Sequence, residues 1–364
     1  MIVRAQVRLS SSALLNNFRI LAERSQGQLL LPMVKANAYG HDAPWIANVL
    51  SANSATKKRM YGFGVATFAE AVELRETLPK TSKKIPILVF SDCAPFSLDW
   101  IRLCNRENFE PVIGELHTLL ELQRYLNANT TKIKTPFHVE VNTGMNRLGI
   151  PVDSLKLLQI KPKSVFTHFA ESENPTSKLT KKQILEFEKV IRWKNQTSPE
   201  TLIHFANSGA IWNARAYSFF KEMDLVRPGL SLYGIRPYEK AKNEGLRQVM
   251  TFQAPVIQKT FLEKGDQVGY GGAYQSKKKH GEWVATLGAG YADGVFRSLA
   301  NQSNVLGKVS MDLIVVNASS KTKIGDLISL WGEGIDPYEI ARRANTIPYE
   351  ITTRIGERVK KIYE

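Results

Sequence analysis

One lysine stands where a buried strand would end. The apolar run LLLPMV, from Leu29 to Val34, leads into Lys35, which is followed by the small and polar residues ANAYGHD. An apolar run that ends in turn residues is typical of a parallel-sheet strand, and ligands bind beyond the carboxyl ends of such strands. Desolvation lowers the pKa of a lysine, and the neutral amine condenses with an aldehyde to form a Schiff base. Lys35 is therefore a candidate nucleophile, although a strand-end lysine can also simply extend to water.

The pattern around Lys35 predicts the element that positions it, a (β/α)8 TIM barrel of the α/β class. Apolar or β-rich runs alternate with stretches whose apolar residues recur at helical spacing, such as 69–78, 115–128 and 181–194. This alternation is typical of a TIM barrel. The predicted strands are Leu29–Lys35, Tyr61–Thr67, Ile85–Phe90, Glu110–Ile113, Phe137–Asn142, Ser164–Phe169, Leu202–Asn207 and Leu225–Arg227.

A second domain follows the barrel. Beyond Pro237 the sequence changes to β-rich runs separated by glycine turns, with one helical stretch near 337–345. A chain of 364 residues also exceeds the usual size of a single core. We therefore predict a barrel domain over residues 10–236 and a C-terminal mostly-β domain over 237–364, preceded by an opening strand within residues 1–9.

The composition argues against several classes of protein. The net charge is +15, but the lysines are scattered and no basic stripe is interleaved with aromatic residues, so we expect no nucleic-acid partner. The chain has no run of about 18 uncharged apolar residues and no signal-peptide pattern, so we expect a cytoplasmic protein without a membrane partner. Cys93 and Cys104 are the two cysteines, and their spacing predicts neither a disulfide framework nor a metal site.

The segment KANAYGH at Lys35 resembles the pyridoxal phosphate (PLP) lysine segment of bacterial alanine racemases. Further segments are similar to that family in the same order and span almost the whole chain. They are TGMNRLGI at 143–150, THFA at 167–170, ANSGA at 206–210, VRPGLSLYGI at 226–235, VGYGGAY at 268–274, GAGYADG at 288–294 and GKVSMDLIVV at 307–316. The resemblance implies a homodimer that racemises alanine and supplies D-alanine for peptidoglycan, with the opening strand in the β domain.

The resemblance also implies the residues that carry the chemistry. Lys35 would bind PLP and act as the base on the face of the D-enantiomer, while Tyr270 would serve the opposite face from the other subunit. The reference pKa of tyrosine is about 10, so its phenolate needs stabilisation. His168 and Arg227 would connect Tyr270 to the pyridine nitrogen. Because arginine only donates hydrogen bonds, that nitrogen would stay unprotonated and the ring would be a weaker electron sink.

Binding residues follow from the same motifs. Four residues match the family's phosphate contacts: Tyr39, Ser208, Gly229 and Leu230. Arg147 matches the family's arginine near the substrate carboxylate and the cofactor O3′. A guanidinium suits a carboxylate because it can donate two parallel hydrogen bonds. Met311 and Asp312 match entrance residues from the partner subunit, and Tyr291 matches a tyrosine that lines the entrance.

The chain departs from the family pattern at two places. Several members have a carbamylated lysine and an aspartate where this chain has Glu140 and Asn142. We predict that Glu140 supplies the anionic charge unmodified and pairs with Arg147. Near the C-terminus, Glu357 stands opposite the family's phosphate-binding tyrosine. Because a carboxylate repels a phosphate, this contact stays unassigned and PLP retention can be weaker.

Four alternatives stay open at this point. A related racemase could act on serine, lysine or arginine. A decarboxylase of similar architecture is disfavoured by Arg227, because its cofactor nitrogen meets a carboxylate. A PLP carrier without enzymatic activity would lack the β domain and Tyr270. A basic nucleic-acid-binding module has no motif behind it.

Overall fold

The computed structural model describes residues 4–128, 136–302, 304–332 and 334–364. The chain forms two compact units, one of Leu15–Leu246 and one that combines Met1–Leu14 with Arg247–Glu364. Val3, which begins the alternating pattern of the opening strand, lies outside the described residues.

The unit Leu15–Leu246 contains a closed barrel of parallel strands. Strands Leu29–Leu30 and Leu225–Val226 pair with each other. Bridges from Leu30 to Met60 and from Asn207 to Arg227 connect this pair to the larger sheet. The strands of that sheet, in chain order, are Phe63–Val65, Ile87–Val89, Phe109–Ile113, His138–Asn142, Ser164–Phe166 and Leu202–His204. The predicted barrel is confirmed, although most of its strands are shorter than predicted, Phe109–Ile113 is one residue longer, and the first strand ends before Lys35.

Helices connect the barrel strands, but less regularly than predicted. The α-helices that precede or connect the barrel strands are Ser11–Arg24, Ala43–Ala52, Ser54–Arg59, Phe68–Thr77, Leu98–Glu107, Leu116–Ala128, Lys178–Thr197 and Ser208–Trp212, while Lys35–Tyr39 is a left-handed turn. After His138–Asn142 come a short strand, Ile150–Pro151, and a 3-10 helix, Val152–Leu157. The last barrel strand is followed by a 3-10 helix, Leu230–Tyr233, which ends at Gly234 in a left-handed conformation with φ 83°.

The barrel interior holds an apolar cluster. Leu31, Leu88, Val112 and Phe166 are at most 2% exposed, and Tyr61 and Phe90 pack against them. Fully burying one such aliphatic or Phe side chain contributes about 1.5–3 kcal/mol, so this cluster supports the strand ends that carry the site.

The second unit is mostly β. Gln6–Leu9 pairs antiparallel with the long strand Met250–Leu262 and parallel with Lys360–Tyr363. Its other strands are Gln267–Val268, Tyr274–Gln275, Glu282–Leu287, Val305–Leu306, Ile314–Asn317 and Leu327–Trp331. Helix Pro337–Ala344 was predicted; helix Pro348–Thr353 is too short for a periodic pattern. Among the described helices, none combines the length and apolar character of a membrane span.

Candidate active site

The backbone directly after Lys35 is strained. Lys35 begins the turn Lys35–Tyr39, whose next three residues have left-handed φ angles of 50°, 51° and 55°. Each such non-glycine residue costs roughly 1 kcal/mol. The turn is held by the backbone N–H of Ala36, which donates to Glu70 Oε1 at 2.7 Å, and by that of Ala43, which donates to the Asn37 side chain at 2.8 Å. Strain of this kind is typical of functional sites.

Partial burial and two neighbouring guanidinium groups shift Lys35 toward its neutral amine. Although the residue is exposed in the single chain, partial desolvation and then the Arg147 guanidinium lower the pKa of Lys35. The Glu70 carboxylate acts in the opposite direction, and Arg227 adds to the lowering. Lys35, Arg147 and Arg227 therefore lie within electrostatic range of one another at one end of the barrel.

Arg227 is a buried cation with fixed partners. It is 4% exposed, and burial lowers the pKa of its guanidinium to about 10, so it remains charged near neutrality. Its Nη1 donates to His204 Nδ1 at 2.5 Å, and its Nη2 donates to the carbonyl of Thr167 at 2.9 Å. No described residue accepts a hydrogen bond from its Nε–H. Arg227 thus retains a donor for a further acceptor.

His168 lies beside Arg227 and is neutral. Its Nδ1 is 3.4 Å from Arg227 Nη2, so this contact is long for a hydrogen bond. Burial, followed by the positive charges of Arg227, Arg147 and Lys35, lowers the pKa of His168 to about 3.

Glu140 adds a negative charge to the same end of the barrel. It is 6% exposed, and burial raises the pKa of its carboxyl, while Arg227, Arg147 and Lys35 oppose that shift. Within the described part of the chain, Glu140 and Arg147 form no ion pair within 4 Å. The predicted direct pairing is therefore not found, and Glu140 acts on Arg147 from a longer distance.

The residues predicted to bind phosphate come from three segments of the chain that meet. Ser208 Oγ accepts hydrogen bonds from the backbone N–H groups of Gly229 at 3.1 Å and Ser231 at 3.3 Å. A Cβ atom at Gly229 would lie 2.5 Å from the Tyr39 hydroxyl, so only glycine lets the two approach. Leu230 is 1% exposed and follows directly. Hydroxyls and backbone N–H groups brought together in this way suit an anion.

The remaining predicted residues lie in the mostly-β unit. Tyr270 is 72% exposed and begins the 3-10 helix Tyr270–Gly272. Met311 is 53% exposed. The backbone N–H of Tyr291 donates to the carbonyl of Ser310 at 3.0 Å, so the loops that carry Tyr291 and Met311 lie side by side.

Arg358 holds Asp312 within this unit. Its Nη1 lies 2.8 Å from Asp312 Oδ1, while its Nε and Nη2 donate to the two carboxylate oxygens of Asp293 at 2.7 and 2.9 Å. These carboxylates raise the pKa of the Arg358 guanidinium. Glu357, the residue that departs from the family pattern, is exposed beside it.

Comparison with known proteins identifies the family. The family model described as alanine racemase, N-terminal domain, matches residues 9–237, and the model of the alanine racemase C-terminal domain matches residues 249–363. The chain belongs to the alanine racemase family. It is 32% identical over 378 residues to the alanine racemase of Deinococcus radiodurans, with 99% of each chain covered. It is 33% identical over 372 residues to that of Vesicomyosocius okutanii, with 97% of each covered.

Solved alanine racemases have the same fold. The enzyme from D-cycloserine-producing Streptomyces lavendulae aligns with a TM-score of 0.85 and 26% identity, covering 100% of this chain and 98% of that one. The alanine racemase of Bartonella henselae, solved with covalently bound PLP, aligns with a TM-score of 0.83 and 29% identity over 100% of both chains. The predicted family and fold are confirmed, and PLP is the cofactor of this family.

The residues at this end of the barrel fit PLP. Lys35 offers an amine of lowered pKa, and Arg227 offers an unused Nε–H to an acceptor. Ser208 and Gly229, which are hydrogen-bonded to each other, offer a hydroxyl and a close backbone approach to a phosphate. PLP has an aldehyde, a ring nitrogen and a phosphate, and these residues offer one partner for each of the three groups.

Sequence reasoning missed three residues that support the site. The capping role of Glu70 could have been predicted from the sequence, because Thr67 and Glu70 have the S/T-x-x-E spacing of a capping box. His204 and Arg358 had no local signal, because their partners Arg227 and Asp293 are distant in the chain.

Proposed function

We propose that this chain interconverts L- and D-alanine as a cytoplasmic homodimer that supplies D-alanine for peptidoglycan. The observation that carries the proposal is the convergence, at one end of the barrel, of the Lys35 amine, the buried guanidinium of Arg227 and the hydrogen-bonded pair Ser208 and Gly229.

Two bases exchange the substrate proton in this proposal. Bound PLP supplies an electron sink that acidifies the substrate Cα–H. Lys35 Nζ holds or returns that proton on one face, and its lowered pKa supports this role because a base must be neutral to accept it. The hydroxyl of Tyr270 of the partner subunit acts on the other face. The 72% exposure of Tyr270 in the single chain is compatible with a role in a neighbouring subunit.

Other residues bind and orient. Arg227 would hold the cofactor's ring nitrogen through Nε–H, and because arginine only donates, the nitrogen would remain unprotonated. Arg147, a cation beside Lys35, would hold the substrate carboxylate. Tyr39, Ser208, Gly229 and Leu230 would hold the phosphate. Met311, Asp312 and Tyr291 would shape the entrance, with Arg358 holding Asp312 in place.

The first experiment combines a visible spectrum with a polarimetric assay. We expect purified protein with PLP to show a visible band that borohydride abolishes, leaving a stable adduct on Lys35. The circular dichroism of L-alanine should then decay to zero. L-serine, L-lysine and L-arginine are tested in parallel, and a faster decay of one of them would replace alanine by a different substrate. The absence of any borohydride-sensitive band would contradict PLP binding through Lys35.

Subunit mixing tests whether Tyr270 acts across a dimer. Lys35→Ala and Tyr270→Phe should each be nearly inactive, but a heterodimer of the two would contain one intact site. Random exchange of equal amounts should therefore restore about a quarter of the wild-type activity. Mixtures that stay inactive after verified subunit exchange would place Tyr270 in the site of its own chain.

A further inference from the structure

A line of polar side chains leads from Arg227 into the barrel interior. Arg227 Nη1 contacts His204 Nδ1 at 2.5 Å, and His204 Nε2 lies 3.0 Å from Ser164 Oγ. Ser164 Oγ lies 2.7 Å from His138 Nδ1. His138 Nε2 lies 2.8 Å from Glu110 Oε2. These contacts form one continuous hydrogen-bonded chain, here called the Glu110–Arg227 chain, between a carboxylate and a guanidinium.

The chemistry of its two ends gives this chain a single direction. Arginine has no acceptor, so His204 Nδ1 accepts and the proton of neutral His204 must lie on Nε2. The Ser164 hydroxyl oxygen accepts a hydrogen bond from His204 Nε2–H and donates its own hydrogen to His138 Nδ1. His138 then donates Nε2–H to Glu110, whose ionised carboxylate only accepts. Every hydrogen along the chain is used once.

The chain is shielded from water. His138, Ser164 and His204 are 0% exposed, and Glu110 is 5% exposed. The ring of Phe166 stacks on His204 with centroids 4.6 Å apart and lies 4.8 Å from the Arg227 guanidinium. Burial and the Arg227 charge lower the pKa of His204, so its imidazole is neutral. Hydrogen bonds in such surroundings are strong when satisfied and costly when broken.

The far end of the chain is also anchored. The hydroxyl of Tyr61 donates to Glu110 Oε2 at 2.8 Å, and its ring meets His138 edge-on with centroids 6.3 Å apart. Glu110 Oε2 therefore accepts two hydrogen bonds, one from Tyr61 and one from His138.

We propose that Glu110, His138, Ser164 and His204 are positioning residues that orient Arg227 and convey the negative charge of Glu110 to it through neutral, polarised hydrogen bonds. The chain fixes the guanidinium plane and so the direction of Nε–H. This inference rests on the proposed function only in assigning that N–H to the cofactor nitrogen, because the direction of the chain is a property of the protein without PLP.

The first test reads the histidine tautomers in full-length, PLP-free protein labelled with ¹⁵N-histidine. At neutral pH, side-chain NMR should show His138 and His204 neutral, with slowly exchanging protons on Nε2. His41 is an internal reference of the opposite tautomer, because its Nδ1 lies 3.1 and 2.9 Å from two backbone carbonyls. A proton on Nδ1, or a doubly protonated ring, at His138 or His204 would overturn the proposal.

The second test interrupts the chain at Ser164. Ser164→Ala should speed exchange of the His204 Nε2 proton and weaken PLP affinity by about tenfold, as expected for one lost hydrogen bond in a chain ending on a charge. Ser198→Ala is the matched control, because Ser198 is 1% exposed and contacts Thr201 Oγ1 at 2.8 Å outside the chain. Equal PLP affinities of the two variants would contradict a positioning role.

A third variant covers the case in which Ser164→Ala does not fold. Glu110→Gln keeps an acceptor for His138 but removes the charge, so it should speed exchange of the His138 Nε2 proton and weaken PLP affinity. Unchanged exchange and affinity would overturn the proposal. The histidine tautomers do not depend on turnover. Inactivity with alanine would therefore contradict the proposed function alone. Other tautomers in an active enzyme would contradict the Glu110–Arg227 chain alone.

Discussion

The carboxylate of Glu70 accepts a hydrogen bond from the backbone N–H of Ala36, the residue after Lys35, at 2.7 Å. Its other oxygen accepts from the backbone N–H groups of Ala66 at 2.7 Å and Thr67 at 3.2 Å. One side chain thus connects the strained turn of the nucleophile to the start of helix Phe68–Thr77. The left-handed turn persists because groups from outside it hold it in place.

Replacing Glu70 should therefore disturb both places at once. Glu70→Gln removes one of the two acceptor oxygens and the charge, and we expect the free energy of unfolding to fall by about 1–2 kcal/mol. Urea denaturation of the PLP-free protein measures this, and borohydride trapping measures slower PLP capture by Lys35. Glu73→Gln, exposed on the same helix, is the control. A variant as stable and reactive as this control would refute the role of Glu70.

Gly229 and Tyr39 approach so closely that one added methyl group would disturb the proposed phosphate site. Gly229→Ala would place a Cβ 2.5 Å from the Tyr39 hydroxyl, so we expect a loss of about 1–3 kcal/mol in stability and a lower PLP affinity. Fluorescence titration with PLP and urea denaturation check both effects. Tyr39→Phe should lower PLP affinity without placing a new atom in this contact. Full PLP affinity in both variants would place the phosphate elsewhere.

Arg358 is the cationic partner of a buried carboxylate, that of Asp293. The Asp293 side chain is 1% exposed, so Arg358→Ala leaves it without its cationic partner. Because Arg358 itself is 40% exposed, solvent screens part of this loss, and we expect about 1–3 kcal/mol of destabilisation. Arg4→Ala is the control, since Arg4 lies 4.0 Å from Asp312 with both side chains about half exposed. Equal urea midpoints for the two variants would be the contrary result.

Buried neutral histidines should make the protein less stable in mild acid. Burial lowers the pKa of His41 from 6.5 to about 4 and that of His168 to about 3, and it also lowers the pKa of His204. Below pH 6.5 the unfolded chain binds protons that the folded chain does not. Stability is therefore full above that pH and falls as the pH decreases, by up to about 1.4 kcal/mol per pH unit for each histidine.

Urea denaturation of the PLP-free protein from about pH 7.5 to about pH 5 measures this slope. His41→Phe keeps the stacked contact with Tyr233, whose ring centroid is 4.4 Å away, and should reduce the slope by about one proton. The exposed His117, changed to glutamine, should leave it unaltered. A slope that is the same in the wild type and in His41→Phe would contradict a buried, neutral His41.

Local patterns in the sequence were sufficient for the barrel strands and for the place of Lys35. Strand and helix periodicities depend on neighbours within a few residues, so the alternation of strands and helices could be predicted from the sequence. The strand ends were harder to predict, and the regular pairing of Leu29–Leu30 ends earlier than predicted because Pro32 has no N–H to donate to a neighbouring strand.

The family and the order of the candidate site residues follow from contiguous motifs such as KANAYGH, THFA and VRPG, and the fold follows from the alternation of strand and helix patterns. The groups that those residues contact depend on the tertiary structure. Ala36 and Glu70 are 34 residues apart, Arg227 and Thr167 are 60 apart, and Arg227 and His204 are 23 apart. Hydrogen bonds over such separations form when the strands close into a barrel, and no local pattern specifies them.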